Sequence, residues 1–348
     1  MKRHISSVLL IWISTAFAAA AGAQEAKKDL SIFESSLHYT ARGMAYWYDK
    51  AAGGLETITG IPYSQLMCQN CHVAACDGCH RTEKDNVLSY TTGVARKQET
   101  CLKCHGREAS ILNIDKQAGQ IDVHSANGME CMSCHSAREM HGNGKAYASM
   151  RQPGAMDTRC ATCHGSISQT LSHTVHGGKV DCKACHERHV VSCTNCHFET
   201  VLKENKRISI PVSGWIFLMN YEGEVTSATM QTFVVSGPKT FLMFAPQHSH
   251  SIMRKGRACG ECHASEIVRQ VRKGEVNLMW LEKGEVKQTK GVIPVADGVR
   301  WNIVYQDNQK GKWVPIEDAP APGLHYASFG TPLSKEQIDD LAKPQQER

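Results

Sequence analysis

Cys182-Lys183-Ala184-Cys185-His186-Glu187-Arg188-His189-Val190-Val191-Ser192-Cys193-Thr194-Asn195-Cys196-His197 sets two Cys-x-x-Cys-His motifs only six residues apart. The pattern recurs at Cys68/Cys71/His72, Cys76/Cys79/His80, Cys101/Cys104/His105, Cys131/Cys134/His135, Cys160/Cys163/His164 and Cys259/Cys262/His263, and these motifs use all 16 cysteines. A disulfide framework gives no reason for a histidine after every second cysteine, and neither does a set of tetrahedral zinc sites. With histidine at about one residue in twenty, eight such coincidences have odds on the order of 1 in 10^10, which leaves the heme-attachment reading of the motif.

That reading explains the spacing. Two thiols three positions apart add to the two vinyl groups on one porphyrin edge, and the next histidine reaches the iron from below. Covalent links hold the group where little protein surrounds it, so many can share a short chain. From Cys68 to His197 seven motifs crowd together, and only Val73-Ala74-Ala75 part the first two. So dense a segment lacks the residues for an ordinary side-chain core, so porphyrins are expected to be the core, eight covalently bound heme c in all.

The chain starts Met1-Lys2-Arg3, runs through apolar Val8–Ala20 and reaches the small residues Ala21-Gly22-Ala23. This is the layout of a cleaved secretory signal over 1–23, with Gln24 as the new start, and it implies a periplasmic or extracellular protein. No later stretch is long and apolar enough to span a bilayer. Cleavage takes Lys2 and Arg3 from the formal charge of +5. Eight ferric hemes with ionised propionates would then bring the total to about −5, which argues against nucleic acid or an acidic membrane as a partner.

The pattern divides the chain into a helical segment over 24–67, a seven-heme cluster over 68–197 and a β-rich module over 198–348 that carries the eighth heme. Ser31-Ile32-Phe33-Glu34 reads as a capping box opening a helix that Gly53-Gly54 ends, with Phe33, Leu37, Met44 and Tyr48 near one face as a lid on the first hemes. Branched and aromatic runs predict antiparallel strands over 208–221, 225–235 and 240–244, with turns at Glu222-Gly223 and Ser236-Gly237-Pro238. A hairpin is expected from 300–306 and 312–316 around Asn308–Gly311. Ser334-x-x-Gln337 should cap a short last helix.

The sixth ligand of each iron decides between electron passage and substrate chemistry. Ten histidines lie outside the motifs, and His4 leaves with the signal, so nine remain for eight irons. His124 and His176 precede motifs at a spacing that lets them reach a neighbouring heme, and His189 lies between two close motifs. His38, His141 and His250 complete the set of expected ligands. His173 and His248 each have a rival two or three residues away, and one of each pair is free to hydrogen-bond a propionate. His325 lies in a Pro-rich loop. Met219, Met230 and Met243 fall in strands and are read as packing residues.

On these eight motifs, which cover about two thirds of it, the chain resembles the multiheme c-type cytochromes. The resemblance implies a heme-cored, irregular fold with short α-helices, and an electron-transfer role. Octaheme relatives include hydroxylamine oxidoreductase-like and tetrathionate reductase-like enzymes. The lysine-ended motif of cytochrome c nitrite reductases is missing here, no tyrosine is marked by spacing as a catalytic neighbour, and the β-rich segment departs from those mainly helical enzymes. Three readings follow: an electron carrier in anaerobic respiration, serving redox partner proteins, a membrane-bound donor or terminal acceptors; a multiheme reductase of a small nitrogen or sulfur oxyanion or of hydroxylamine; and a subunit of an extracellular cytochrome filament.

Overall fold

The computed structural model describes residues 32–66, 73, 75–204 and 206–345. The expected signal peptide, Ser31 of the expected capping box and the first motif (Cys68, Cys71, His72) lie outside the described residues. Among the described residues no helix is long and apolar enough to cross a membrane, and the 14 described cysteines are all free of disulfides.

Short helices and loops carry the first half. The N-terminal helix differs from the expected single element: it is split into Leu37–Thr40 and Arg42–Tyr48 by Ala41, whose φ of 50° is left-handed. Ser36 caps the first piece by accepting from the Tyr39 N–H, and a further turn at Lys50–Ala52 follows before Gly53. Two surfaces result. Phe33, Leu37 and Met44 line the large cavity described below. Tyr48, Leu55 and Leu66 instead pack with Phe198, Val235 and Phe241. The segment is thus both a wall of the cavity and a brace for the sheet. Between the second and third motifs, β1 (Arg81–Lys84) and β2 (Val87–Tyr90) form a hairpin closed by Asp85-Asn86, both at positive φ as the turn requires.

The β-rich half is built on β3 (Val190–His197), β4 (Ile210–Tyr221), β5 (Glu224–Ser236) and β6 (Lys239–Pro246), joined by β9 (Gly291–Pro294) and β13 (Gly323–Tyr326) in the order β13-β6-β5-β3-β4-β9. Glu222 and Gly223 both have positive φ, as a two-residue hairpin turn requires. β4 pairs with β3 through its first half and with β5 through its second, so β3 is wedged between them. Trp215, Phe217, Met219, Met230 and Phe244 fill the core of this sheet. Met219 and Met230 are fully buried there, in the packing role expected of them.

In a second sheet, β7 (Glu275–Glu282) lies between β8 (Glu285–Gln288) and β10 (Arg300–Ile303). The expected hairpin is therefore shorter than its sequence suggested: β11 (Gln306–Gln309) pairs with β12 (Lys312–Pro315), while 300–303 turns away to run parallel to β7. The final helix, Lys335–Leu341, carries the expected capping box between Ser334 and Gln337.

Candidate functional site: a row of facing histidines

Six motifs sit on or against single helical turns. Cys131–Cys134, Cys182–His186 and Cys259–Cys262 are short α-helices, Asp77–His80 and Gln98–Leu102 hold parts of two more motifs, and Cys160–Thr162 is a 3-10 turn. On such turns positions three apart share a face, so both thiols point the same way. They point into one continuous cavity of about 4550 Å³, which all six of these motifs line. A site for one small molecule occupies roughly 300–1,000 Å³, so this volume suits several large groups.

Inside the cavity the histidines come in pairs. His80 faces His141 at 5.8 Å between ring centroids, and His38 faces His105 at 6.2 Å. His124 faces His164 at 6.1 Å and His135 faces His250 at 6.3 Å. His173 faces His186 at 6.3 Å and His176 faces His263 at 6.2 Å. Every pair joins one motif histidine to one from outside the motifs. Each metal–imidazole bond is about 2 Å long, and a ring centre lies about 1 Å behind its nitrogen, so an ion held between two rings sets their centres about 6 Å apart. The observed separations fit one iron per pair.

Hydrogen bonds behind the rings aim them. Nδ1 of His173 lies 2.7 Å from the Ser168 carbonyl, and Nδ1 of His176 lies 3.0 Å from that of Ser172. His186 and His263 do the same with Met253 and Asp340, each at 3.2 Å. A carbonyl only accepts, so Nδ1 carries the proton and Nε2 is left bare toward the opposite ring. His135 is held more strongly, with Nδ1 2.7 Å from Oε2 of buried Glu139. Burial tends to raise the Glu139 pKa, but the bond to His135 and the Thr158 and Asp157 N–H groups outweigh it and hold the carboxyl low. Burial also lowers the pKa of His38, His250 and His263, which keeps those rings in the neutral form that binds metal.

The thiols behave differently. Burial, with the neighbouring Cys101, pushes Cys131 up to about 11, and burial pushes Cys262 up to about 12. Among the described residues no group of three or more His, Cys, Asp or Glu gathers as a metal cage. These sites suit an iron that arrives inside its own macrocycle.

The seventh motif is built otherwise. Cys193, Cys196 and His197 lie in β3, within the sheet. Alternation along a plain strand would send positions three apart to opposite faces. Asn195, at φ 53°, inserts one extra residue, so that Cys193 pairs with Gln231 and Cys196 with Phe233, two positions apart on β5. The bulge returns both thiols to one face. The imidazole fits less well: Nε2 of His197 lies 2.8 Å from Oδ1 of Asp307 and, among the described residues, faces no second histidine.

Of the expected second ligands, His38, His124, His141, His176 and His250 each stand opposite a motif histidine. His189 does not. Its Nε2 is 2.8 Å from Oδ1 of Asp115, whose other oxygen holds Arg188 at 3.0 Å. Closeness in sequence to two motifs does not fix direction, and the start of β3 turns His189 to the helix Gly106–Gln117. His173, in sequence the rival of His176, has a partner of its own. The two sit three apart on the helix Leu171–His176, both facing the cavity, a spacing that could have marked the pair. His248 lies under Arg151, and His325 packs near Trp47 and Phe241.

No family model matches the chain, and no solved structure matches it. It is similar to cytochrome c-552 of Haemophilus ducreyi, with 26% identity over 165 aligned residues, 42% of this chain and 33% of that protein. The match thus spans about a third of the length of this curated relative.

Proposed function

We propose that this protein is an exported octaheme c-type cytochrome that passes electrons along closely packed hemes in anaerobic respiration. The observation that carries the reading is the set of six facing histidine pairs, each with one motif member and one outside member. The similarity to cytochrome c-552 supports the c-type class. Eight hemes follow from the eight motifs, including the first, read from sequence alone, and the seventh, whose histidine would have to exchange Asp307 for iron.

When bound, the hemes supply one-electron chemistry at iron. The chain does the rest. Its motif thiols would hold the porphyrins covalently, and the six pairs of facing imidazoles would ligate iron and so keep substrate from it. Carbonyls of Ser168, Ser172, Met253 and Asp340 hold the Nδ1 protons in place, and Glu139 adds negative charge behind His135. Redox partner proteins and a membrane-bound donor are the proposed partners, and the periplasm or cell exterior is the proposed location.

A second reading, a reductase of a small nitrogen or sulfur oxyanion or hydroxylamine, is favoured by one observation: His197 faces Asp307 and, among the described residues, no second imidazole. An iron there would have an open face. Substrate-dependent oxidation of the reduced protein separates the two readings. The carrier leaves nitrite, sulfite and hydroxylamine unreduced, whereas turnover of any of them would replace it with the reductase.

A further inference from the structure

Arg151 lines the cavity, yet only 6% of it is exposed. Its guanidinium forms no ion pair with any carboxylate among the described residues. The neighbouring acids are engaged elsewhere: Asp181 holds Lys183 at 2.7 Å, Glu222 holds Arg159 at 3.6 Å, and Glu187 accepts from the Ser249 N–H at 2.9 Å. Nη1 of Arg151 lies 2.8 Å from both ring nitrogens of His248. A group equally close to both nitrogens sits over the ring face, since in the plane it would collide with Cε1. The Tyr221 ring centroid is 6.0 Å from Cζ, and the Tyr221 hydroxyl donates to the Arg151 carbonyl. The backbone is pinned as well, with the Arg151 N–H donating to Ser149 Oγ at 3.1 Å.

Arginine does not give up its proton in proteins. A buried cation without a counter-charge is costly, and contact with aromatic rings recovers part of that cost only. The remaining donors of the fork suit an anion that offers two oxygens. We propose that Arg151, held against His248 and near Tyr221, binds a carboxylate or small oxyanion inside the cavity. The anion comes either from a propionate of a porphyrin held there, which rests on the heme reading above, or from a free oxyanion that enters.

The test uses the full-length heme-loaded protein with Arg151→Gln and Arg151→Lys. Heme per chain is measured first; a purified protein without covalent heme would defeat the heme reading and leave the anion measurement standing. Optical redox titration and calorimetry with nitrite and with sulfite then follow. If a propionate is the anion, the midpoint potential of one heme falls in Arg151→Gln, Arg151→Lys recovers part of the shift, and neither added anion binds. If the anion is free, the unaltered protein binds nitrite or sulfite, Arg151→Gln abolishes that binding, and the potentials stay in place without it. Unchanged potentials together with no anion binding to the unaltered protein would overturn the proposal. Should Arg151→Gln fail to accumulate, Arg151→Lys and the calorimetry of the unaltered protein decide the matter.

Discussion

The rings of His80 and His141 face each other with planes only 20° from parallel, whereas those of His38 and His105 are turned by 59°. The six pairs divide the same way. His173/His186 and His176/His263 are near parallel at 24° and 28°, and His124/His164 and His135/His250 are turned at 63° and 48°. The angle between axial imidazole planes sets how the iron d orbitals split. Electron paramagnetic resonance of the oxidised protein should therefore show two classes of low-spin signal in comparable amounts. A single uniform class would contradict these ring orientations.

Removing one ring of a pair should expose one iron. His141→Ala is expected to convert one heme from low to high spin, read from the optical and resonance spectra. His189→Ala is the contrasting variant: it should leave the spin state alone. It should cost about 1–3 kcal/mol of stability, because the buried Asp115 loses a hydrogen-bond partner.

The carboxylate behind His135 should tune its heme. Glu139→Gln removes a negative charge 2.7 Å from Nδ1, and a hydrogen bond to a charged group is worth about 1.5–3 kcal/mol. At about 59 mV for each tenfold change in a one-electron couple, the midpoint of that heme should rise by about 60 mV or more. A spectroelectrochemical titration reads the change, and an unmoved potential would show that Glu139 does not act on the iron.

Glu187 gives a pH signature. It is fully buried, and burial pushes its pKa up to about 8, above the usual carboxylate value, against the opposing bonds from Ser227 and Ser249. The folded state therefore holds a proton that the unfolded chain has lost between about pH 4.3 and 8, and stability falls as pH rises through that window. Across it, each pH unit removes about 1.4 kcal/mol of stability. Glu187→Gln should match the parent in thermal unfolding near pH 5 and exceed it near pH 9. Equal behaviour at both values would remove Glu187 as the titrating group.

Much of this site could be read from the sequence because it is local. Two residues between paired thiols, with histidine next, define an attachment point without any knowledge of the fold. The strands 210–221, 224–236 and 239–246 were legible for the same reason, since branched and aromatic runs end at Glu222-Gly223 and at Ser236-Gly237-Pro238. What escaped is non-local. His176 meets His263, and His135 meets His250, across long stretches of chain, and no periodicity announces such meetings. The seventh motif looked like the others because its sequence is the same; only the neighbouring strands β4 and β5 draw it into a sheet. Arg151 was silent for a related reason, being one of many basic residues until burial singled it out.

The most direct test of the central claim is a quantitative spin-state count of the oxidised, purified protein by electron paramagnetic resonance, scaled to total heme. Paired imidazoles at six irons predict that at least six hemes per chain are low-spin with two nitrogen ligands. Any high-spin fraction should be confined to the first and seventh motifs. A count below six would contradict the account.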